Sequence, residues 1–474
     1  MSLISTIANL STVYNYEQAF GAVDCTTTAM RDAIRQWYIL YYNKEQTRDE
    51  DPCQQIAYTV VRKITKTAFG EYKASATGPD GQQADDFTVA VIEAFDKAAK
   101  EAMQHALIGG TVLLKIIPDK VKDVVRVGVI TRPNMLIFGR DTDGKPTDIG
   151  LVERSVKDGK HYSLLERRTL DGKGYLTIRE QLFMARNDNT LGQKIPLGSL
   201  PEYAELQDEY RYPEAIHSLG VIAMSTPLAN CVDDSKDAVS VYAPAVGLIH
   251  NINRNEAQIN GEFERAESRI ITSSDMLKSH PDGSKSLDDH LFTGLDDDLA
   301  ATGITIFSPA IREQSFLVRK TEYLRNMESI IGLKRGLLSD VEATEKTATE
   351  VTSSAGDYNL TIIDFQEMWE DALKEGVRVA GALARLHRIS QAHDIDSDIV
   401  SVDWGNGVLY DEDKTWAEYM AMVGSGLLKP EIALGWRFNM PTDTPEDLQA
   451  IREKYMPDFT AMAIAAAAAG GGEA

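Results

Sequence analysis

The sequence predicts a mainly helical α+β protein with several domains, and three observations carry that prediction. Helix-spaced apolar residues fill most of the first hundred positions and return from about residue 238 onward. Between these regions, residues 111–232 switch to short β-branched and aromatic runs punctuated by turn residues. The 474 residues, 43% hydrophobic and 8% aromatic, suffice for roughly two to four domains with cores of their own and exclude an acidic disordered chain.

Each element has its own signal. Residues 29–42 and 53–71 carry apolar residues at helical spacing, separated by the charged turn 44–51 and Pro52. A Gly/Asp-rich break at 77–86 precedes a third helix, 87–107, which Gly109 and Gly110 end. Strands are predicted at 111–117, 124–130, 134–138, 149–155, 162–169 and 175–183. The pairs Asp143 and Gly144, Asp158 and Gly159, and Asp171 and Gly172 mark hairpin turns, so the region is antiparallel. No internal repeat is evident.

The helical period resumes with Tyr242, Val246, Ile249, Ile252, Ile259, Phe263 and Ile270, one stripe along a helix over 241–271. Pro244 lies near its start, where proline is tolerated. Residues 273–311 are polar and turn-rich, with short strands predicted at 291–295 and 303–307. A second amphipathic helix, 314–334, has its stripe at Phe316, Tyr323, Met327 and Ile330. The strongest periodicity follows. Val351, Ala355, Tyr358, Ile362, Phe365, Trp369, Leu373, Val377, Ala380 and Ala384 step by three or four. These 34 positions make a helix on the order of 50 Å long. Thr347 and Glu350 form a capping-box pattern at its start. Beyond 396 the pattern is a strand at 399–404, a turn at Asn406 and Gly407, and three short helices broken by Gly424, Gly426, Pro430 and Pro441. An Ala/Gly tail ends the chain.

Charge and cysteine content narrow the function classes. Forty-nine basic against 72 acidic side chains leave a net charge of −23, which opposes tight binding to nucleic-acid phosphates through broad basic surfaces. Three cysteines without CxxC spacing, Cys25, Cys53 and Cys231, give neither a disulfide framework nor a zinc site. The first 30 residues lack Lys and Arg, so no signal peptide is expected. The longest uncharged stretch, 238–253, is shorter than a bilayer span; a soluble protein, cytosolic when made and without membrane contact, is expected.

Catalytic chemistry is not written in the sequence. The run Gly139, Arg140, Asp141, Thr142, Asp143, Gly144, Lys145, Pro146 nearly matches a phosphate-cradling loop. A proline replaces the magnesium-binding hydroxyl, and a strand rather than a helix follows, so a hairpin turn explains the run better. A nucleotide-binding enzyme built on loop 139–145 is the alternative reading. The eight histidines include no HExxH or other ligand spacing, and His387 and His393 have no ligand pattern beside them. Gly424, Ser425 and Gly426 read as a helix-ending turn rather than a nucleophile elbow. Asp233 and Asp234, Asp288 and Asp289, and Asp296 to Asp298 read as solvated loop charge. No catalytic residue, metal ligand or cofactor is predicted.

The order helices, β-rich region, helix, turn-rich insert, helix, loop and very long helix resembles the portal proteins, or head-to-tail connectors, of tailed double-stranded-DNA bacteriophages. Ile331, Gly332, Leu333, Lys334, Arg335, Gly336, Leu337, Leu338 and Ser339, followed by Thr347, Ala348, Thr349, Glu350 and Val351, are similar to that family's "GL…G…S…TATE" run. Asp403, Trp404, Gly405, Asn406 and Gly407, with Asp411, resemble its passage into the C-terminal crown.

The resemblance implies a non-enzymatic ring of about twelve copies at one capsid vertex, through which double-stranded DNA is packaged and ejected. It assigns 1–232 to a wing, 233–272 and 313–336 to stem helices, and 273–312 to a clip. It assigns 337–349 to a tunnel loop, 347–394 to the long wing helix and 396–474 to crown and tail. It further implies docking of the terminase large subunit and of a head–tail adaptor or neck protein, with major capsid protein and scaffold as neighbours. Location would be the virion, with assembly in the host cytoplasm. Lys346, a cation on a loop between helices, is the expected DNA-facing residue, with Glu345, Thr347 and Thr349 beside it. Asp288, Asp289, Asp296, Asp297 and Asp298 are the expected docking charges of the clip. The tunnel loop departs from a DNA-gripping pattern, since Asp340, Glu342 and Glu345 outnumber Lys346. Another capsid-associated structural protein is the remaining alternative.

Overall fold

The computed structural model describes residues 13–42, 54–78, 84–142, 144–187, 190–265, 312–339, 348–405, 412–438, 440–442 and 444–456, and short strands at 269–271, 278–279, 285–286 and 305–307. The first elements are α1 (Val13–Phe20), α2 (Thr28–Tyr41), α3 (Ile56–Ala68), β1 (Lys73–Ala76) and α4 (Asp86–Gly109). Strands follow as β2 (Thr111–Asp119), β3 (Val124–Thr131), β4 (Met135–Arg140), β5 (Pro146–Lys157), β6 (Lys160–Leu170), β7 (Leu176–Ala185), β8 (Gln193–Ile195), β9 (Glu209–Arg211) and β10 (Val221–Ser225). Then come α5 (Val246–Arg265), β11 (Arg269–Ile271), β12 (Lys278–Ser279), β13 (Lys285–Ser286), β14 (Thr305–Phe307) and α6 (Glu313–Ile331). The chain continues as α7 (Ala348–Leu386), β15 (Val400–Asp403), α8 (Glu412–Gly424), α9 (Pro430–Arg437) and α10 (Pro445–Tyr455). Two compact units result, Met1–Phe69 with Ala74–Val402 and Gly70–Lys73 with Asp403–Ala474.

In the first unit, α4 and α7 supply the core. Asp85 caps α4 by accepting from the Thr88 amide at 3.1 Å and the Thr88 hydroxyl at 2.7 Å. The helix stops at Gly110, whose φ of +79° suits only glycine and where a Cβ would lie 2.1 Å from the Ala238 carbonyl oxygen. Strand β2 starts at the next residue and lies between β10 and β3. Its continuous apolar run, Val112, Leu113 and Leu114, is buried, as a strand packed on both faces requires. On α7, the side chains of Ile362, Phe365, Trp369, Leu373, Val377, Ala380 and Leu383 are buried along one stripe. Each large side chain so buried contributes about 1.5–3 kcal/mol. Gly376 seats α7 on α4, because a Cβ there would lie 2.5 Å from the Phe95 ring.

A second sheet runs β4-β5-β6-β7-β8, with β9 also pairing β7. One face buries Leu136, Val152, Leu165 and Phe183 under Tyr16 and Phe20 of α1. The other buries Leu164 and Leu182 with Leu197, Leu200 and Tyr203, so adjacent Leu164 and Leu165 serve opposite faces. An ionic cluster joins the two sheets. Glu166 on β6 accepts from Lys115 of β2 and from Arg168, and Arg168 donates to the Leu219 carbonyl at 2.8 Å. Burial alone would raise the Glu166 pKa, but Arg168 and Lys115 outweigh it and hold the carboxyl at about 2. Glu180 on β7 is pushed up to about 7 by burial and then by the Glu166 charge.

In the second unit, Pro430 and Pro445 begin α9 and α10, as first-turn prolines do. Thr444 and Asp447 form a capping box. Arg452 of α10 pairs with the buried Glu431 of α9, over the buried Ile451.

Several boundaries differ from those read in the sequence. Helix α5 begins at Val246 after a 3-10 turn, Ala243–Ala245; Tyr242 lies outside it, donating from its buried hydroxyl to the Trp37 carbonyl at 2.8 Å. It ends at Arg265, and Ile270 belongs to β11, facing Ile306 of β14. A short β-branched run carries no length with which to tell strand from helix, which is why the stripe read through it. Phe263 and Ile330 are 45% and 50% exposed rather than buried in their stripes. The predicted strand 291–295 and the Thr347 cap lie outside the described residues.

Candidate functional site

Helices α5 and α6 pack antiparallel, and the polar bonds between them set their register. Asn255 donates to the Phe316 carbonyl at 3.1 Å, Lys320 pairs with Glu256 at 2.8 Å, and Arg312 grips Glu262 through two bonds of 3.0 and 2.9 Å. Ile249, Ile252 and Ile259 of α5 and Met327 and Ile331 of α6 are buried. The base of the pair is tied to the N-terminal helices: Gln36 meets His250 at 2.9 Å, and Asn253 accepts from the Gln54 amide at 3.0 Å. Phe263, Leu317, Val318 and Ile330 remain exposed on it.

The turn after α6 is the most tightly bonded feature of this region. Gly332 caps the helix at φ +76°, and the Leu333 amide bonds back to the Glu328 carbonyl at 2.7 Å. The fully buried Glu328 carboxylate accepts from the Gly336 amide at 3.1 Å and the Ser339 amide at 2.8 Å. It also accepts from the Ser339 hydroxyl at 2.9 Å and from the Leu338 amide. Lys63 of α3 donates to the Leu337 carbonyl, fastening the turn to the N-terminal helices. The "GL…G…S" residues are thus a folded latch closed on one carboxylate.

Sequence reading missed Glu328. Its signal was faint: an acid in a helix's last turn, where the macrodipole disfavours negative charge. Its partners are mostly backbone amides, which leave no trace in residue type. Of the site residues expected from sequence, Glu345, Lys346, Thr347, Asp288, Asp289, Asp296, Asp297 and Asp298 lie outside the described residues. Thr349 is in the first turn of α7, with its side chain outside them.

Loop 139–145 is a hairpin connection. Gly139 sits within β4 and Pro146 opens β5, and the Lys145 amide bonds the Asp141 carboxylate at 2.8 Å. No helix N-terminus follows. Lys145 shares the lining of a groove of about 650 Å³ with Asp364, Glu367, Asp371 and Glu375, a row of charge that repels nucleotide phosphates. Asp233 accepts from Asn230 at 2.9 Å and from Thr27, and so organises a loop. Among the described residues no cluster of His, Cys, Asp or Glu could hold a metal, and no helix is long and apolar enough to cross a membrane. His387 bonds Tyr212 at 2.9 Å, and burial and then Lys120 lower its pKa.

The two helices flanking the insert and the 39-residue α7 follow one another in the order read from the sequence. The family model for phage portal protein, SPP1 Gp6-like, matches residues 5–455. The chain belongs to the phage portal protein family. Portal proteins are structural, non-catalytic proteins that form ring-shaped DNA channels and docking platforms, and family membership gives this chain that role. No curated protein sequence matches it. Among solved structures, the virion of a native gene transfer agent particle is similar at 12% identity, covering 93% of this chain and 99% of that one, with a TM-score of 0.49. The neck of an empty particle, computed with C6 symmetry, is 11% identical over 91% and 99%, TM-score 0.49. The neck of a native particle, computed with C12 symmetry, is 12% identical over the same shares, TM-score 0.45.

Proposed function

We propose that this portal chain closes into a ring of about twelve copies at a capsid vertex, with α5 and α6 forming the channel wall. Residues 1–232 are then the outer wing, 273–312 the clip, 337–349 the tunnel loop and 396–474 the crown. The supporting observation is the Glu328 latch. It fixes the end of α6 to the turn 332–339, which leads toward the proposed tunnel loop.

Lys346, with Glu345, Thr347 and Thr349, faces the DNA in this reading. Asp288, Asp289 and Asp296 to Asp298 belong to the clip surface that docks the terminase large subunit and later the head–tail adaptor. Capsid protein and scaffold surround the wing. The assembled protein resides in the virion, having been assembled in the host cytoplasm. The charge of −23 per copy, on the order of −280 for a ring of twelve, suits a conduit in which DNA slides.

A clip deletion tests the docking assignment. Removing residues 275–305 should leave rings intact by negative-stain imaging and abolish capture of the terminase large subunit in a pull-down. Undiminished capture by intact rings would place the motor site elsewhere.

A further inference from the structure

The α5–α6 pair carries a groove of about 630 Å³ lined by Arg254, Arg312 and Arg319, with Asn251, Gln258 and Tyr323; no carboxylate lines it among the described residues. In a chain with 72 acidic residues, that sign reversal is local and specific. Most charges on the pair are already matched: Lys320 with Glu256, Arg312 with Glu262, Arg325 with Glu322, and Glu328 with the latch amides. Arg254 is exposed and meets no partner among the described residues, and Arg319 only lies over the Tyr323 ring, 4.4 Å from its centroid. On the acidic side, Glu264 and Glu313 are the exposed carboxylates without a described partner. They sit together at the insert end of the antiparallel pair, with both arginines further along it.

We propose that Arg254 and Arg319 of one copy receive Glu264 and Glu313 of the next copy, which makes the stem-to-stem contact of the ring ionic. A ring is built from head-to-tail contacts, which need two different, complementary patches on each copy. The unmatched arginines and glutamates supply such a pair of patches. Exposed Leu317 and Val318 provide apolar area beside them. Arg319 follows Glu313 by six residues, about 9 Å along the helix, and Arg254 precedes Glu264 by ten, about 15 Å. Copies in a ring share one height, so this pairing inclines each stem to the ring axis. The proposal rests on the portal reading and adds the residues that hold neighbouring walls together.

Charge exchange tests it. One variant carries Arg254→Glu and Arg319→Glu, another Glu264→Arg and Glu313→Arg. Each alone should lose rings at least tenfold by native mass spectrometry, because like charges then meet at every interface. Mixed in equal amounts they should form alternating rings, since each reversed patch finds its complement; misfolded chains would not complement. Rings that persist in either variant alone, or a mixture that stays ringless, would overturn the assignment. If unmodified protein makes no rings, the portal reading itself fails instead. Normal rings that lose only DNA passage would assign the arginines to phosphate and also overturn the proposal.

Discussion

Glu328 places a carboxylate in the last turn of α6, against the helix dipole, and closes four donors around it. Leaving a buried donor unsatisfied costs about 1–3 kcal/mol, so Glu328→Ala should destabilise the turn by roughly 3 kcal/mol or more. Hydrogen exchange checks this locally: the amides of Gly336, Leu338 and Ser339 should exchange at least a hundredfold faster. Unchanged protection would mean that the latch does not hold the turn. Glu180 offers a second test at this scale. Its folded pKa, about 7, lies above that of an unfolded glutamate. Its contribution is therefore complete below the unfolded value, near 4.3, and is lost as pH rises through about 7. Glu180→Gln should match the parent in melting temperature at about pH 3.5 and exceed it at pH 8 by an amount worth about 1–2 kcal/mol, the buried shift discounted for partial solvent screening. Glu166 acts oppositely, with its contribution present above the unfolded value and lost as pH falls toward 2.

At the scale of elements, period and punctuation carried most of what could be read from sequence. The 3–4 spacing from Val351 to Ala384 falls within the single helix Ala348–Leu386, because no proline interrupts it and its apolar stripe outweighs turn-favouring residues such as Gly356 and Asn359. Asp158 and Gly159, both at positive φ, join β5 to β6 as a two-residue hairpin. What escaped was decided by tertiary partners. Tyr242 matches the helical stripe of α5 but is held outside it by Trp37, 205 residues away in sequence. Ile270 left the stripe for β11, whose partner lies across the insert. The Glu328 latch was invisible for a related reason, since amides are common to all residues. The short "GL…G…S" run was legible as a family likeness, whereas its chemistry required coordinates.

For the whole molecule, charge is the property whose meaning changed most. A net −23 first opposes any partnership with nucleic acid, and for a protein that must grip DNA it still does. A channel has the opposite requirement: weak, unspecific contact lets the duplex move. The acidic row Asp364, Glu367, Asp371 and Glu375 and the basic groove on the stem pair show that the charge is also patterned. Such patterning suits assembly between copies more than binding of small anions. Imaging of the purified protein by negative stain, with copies counted by native mass spectrometry, tests the central claim most directly. Closed rings of about twelve copies around an open channel are the predicted result. A protein that stays monomeric at every concentration and salt would contradict it.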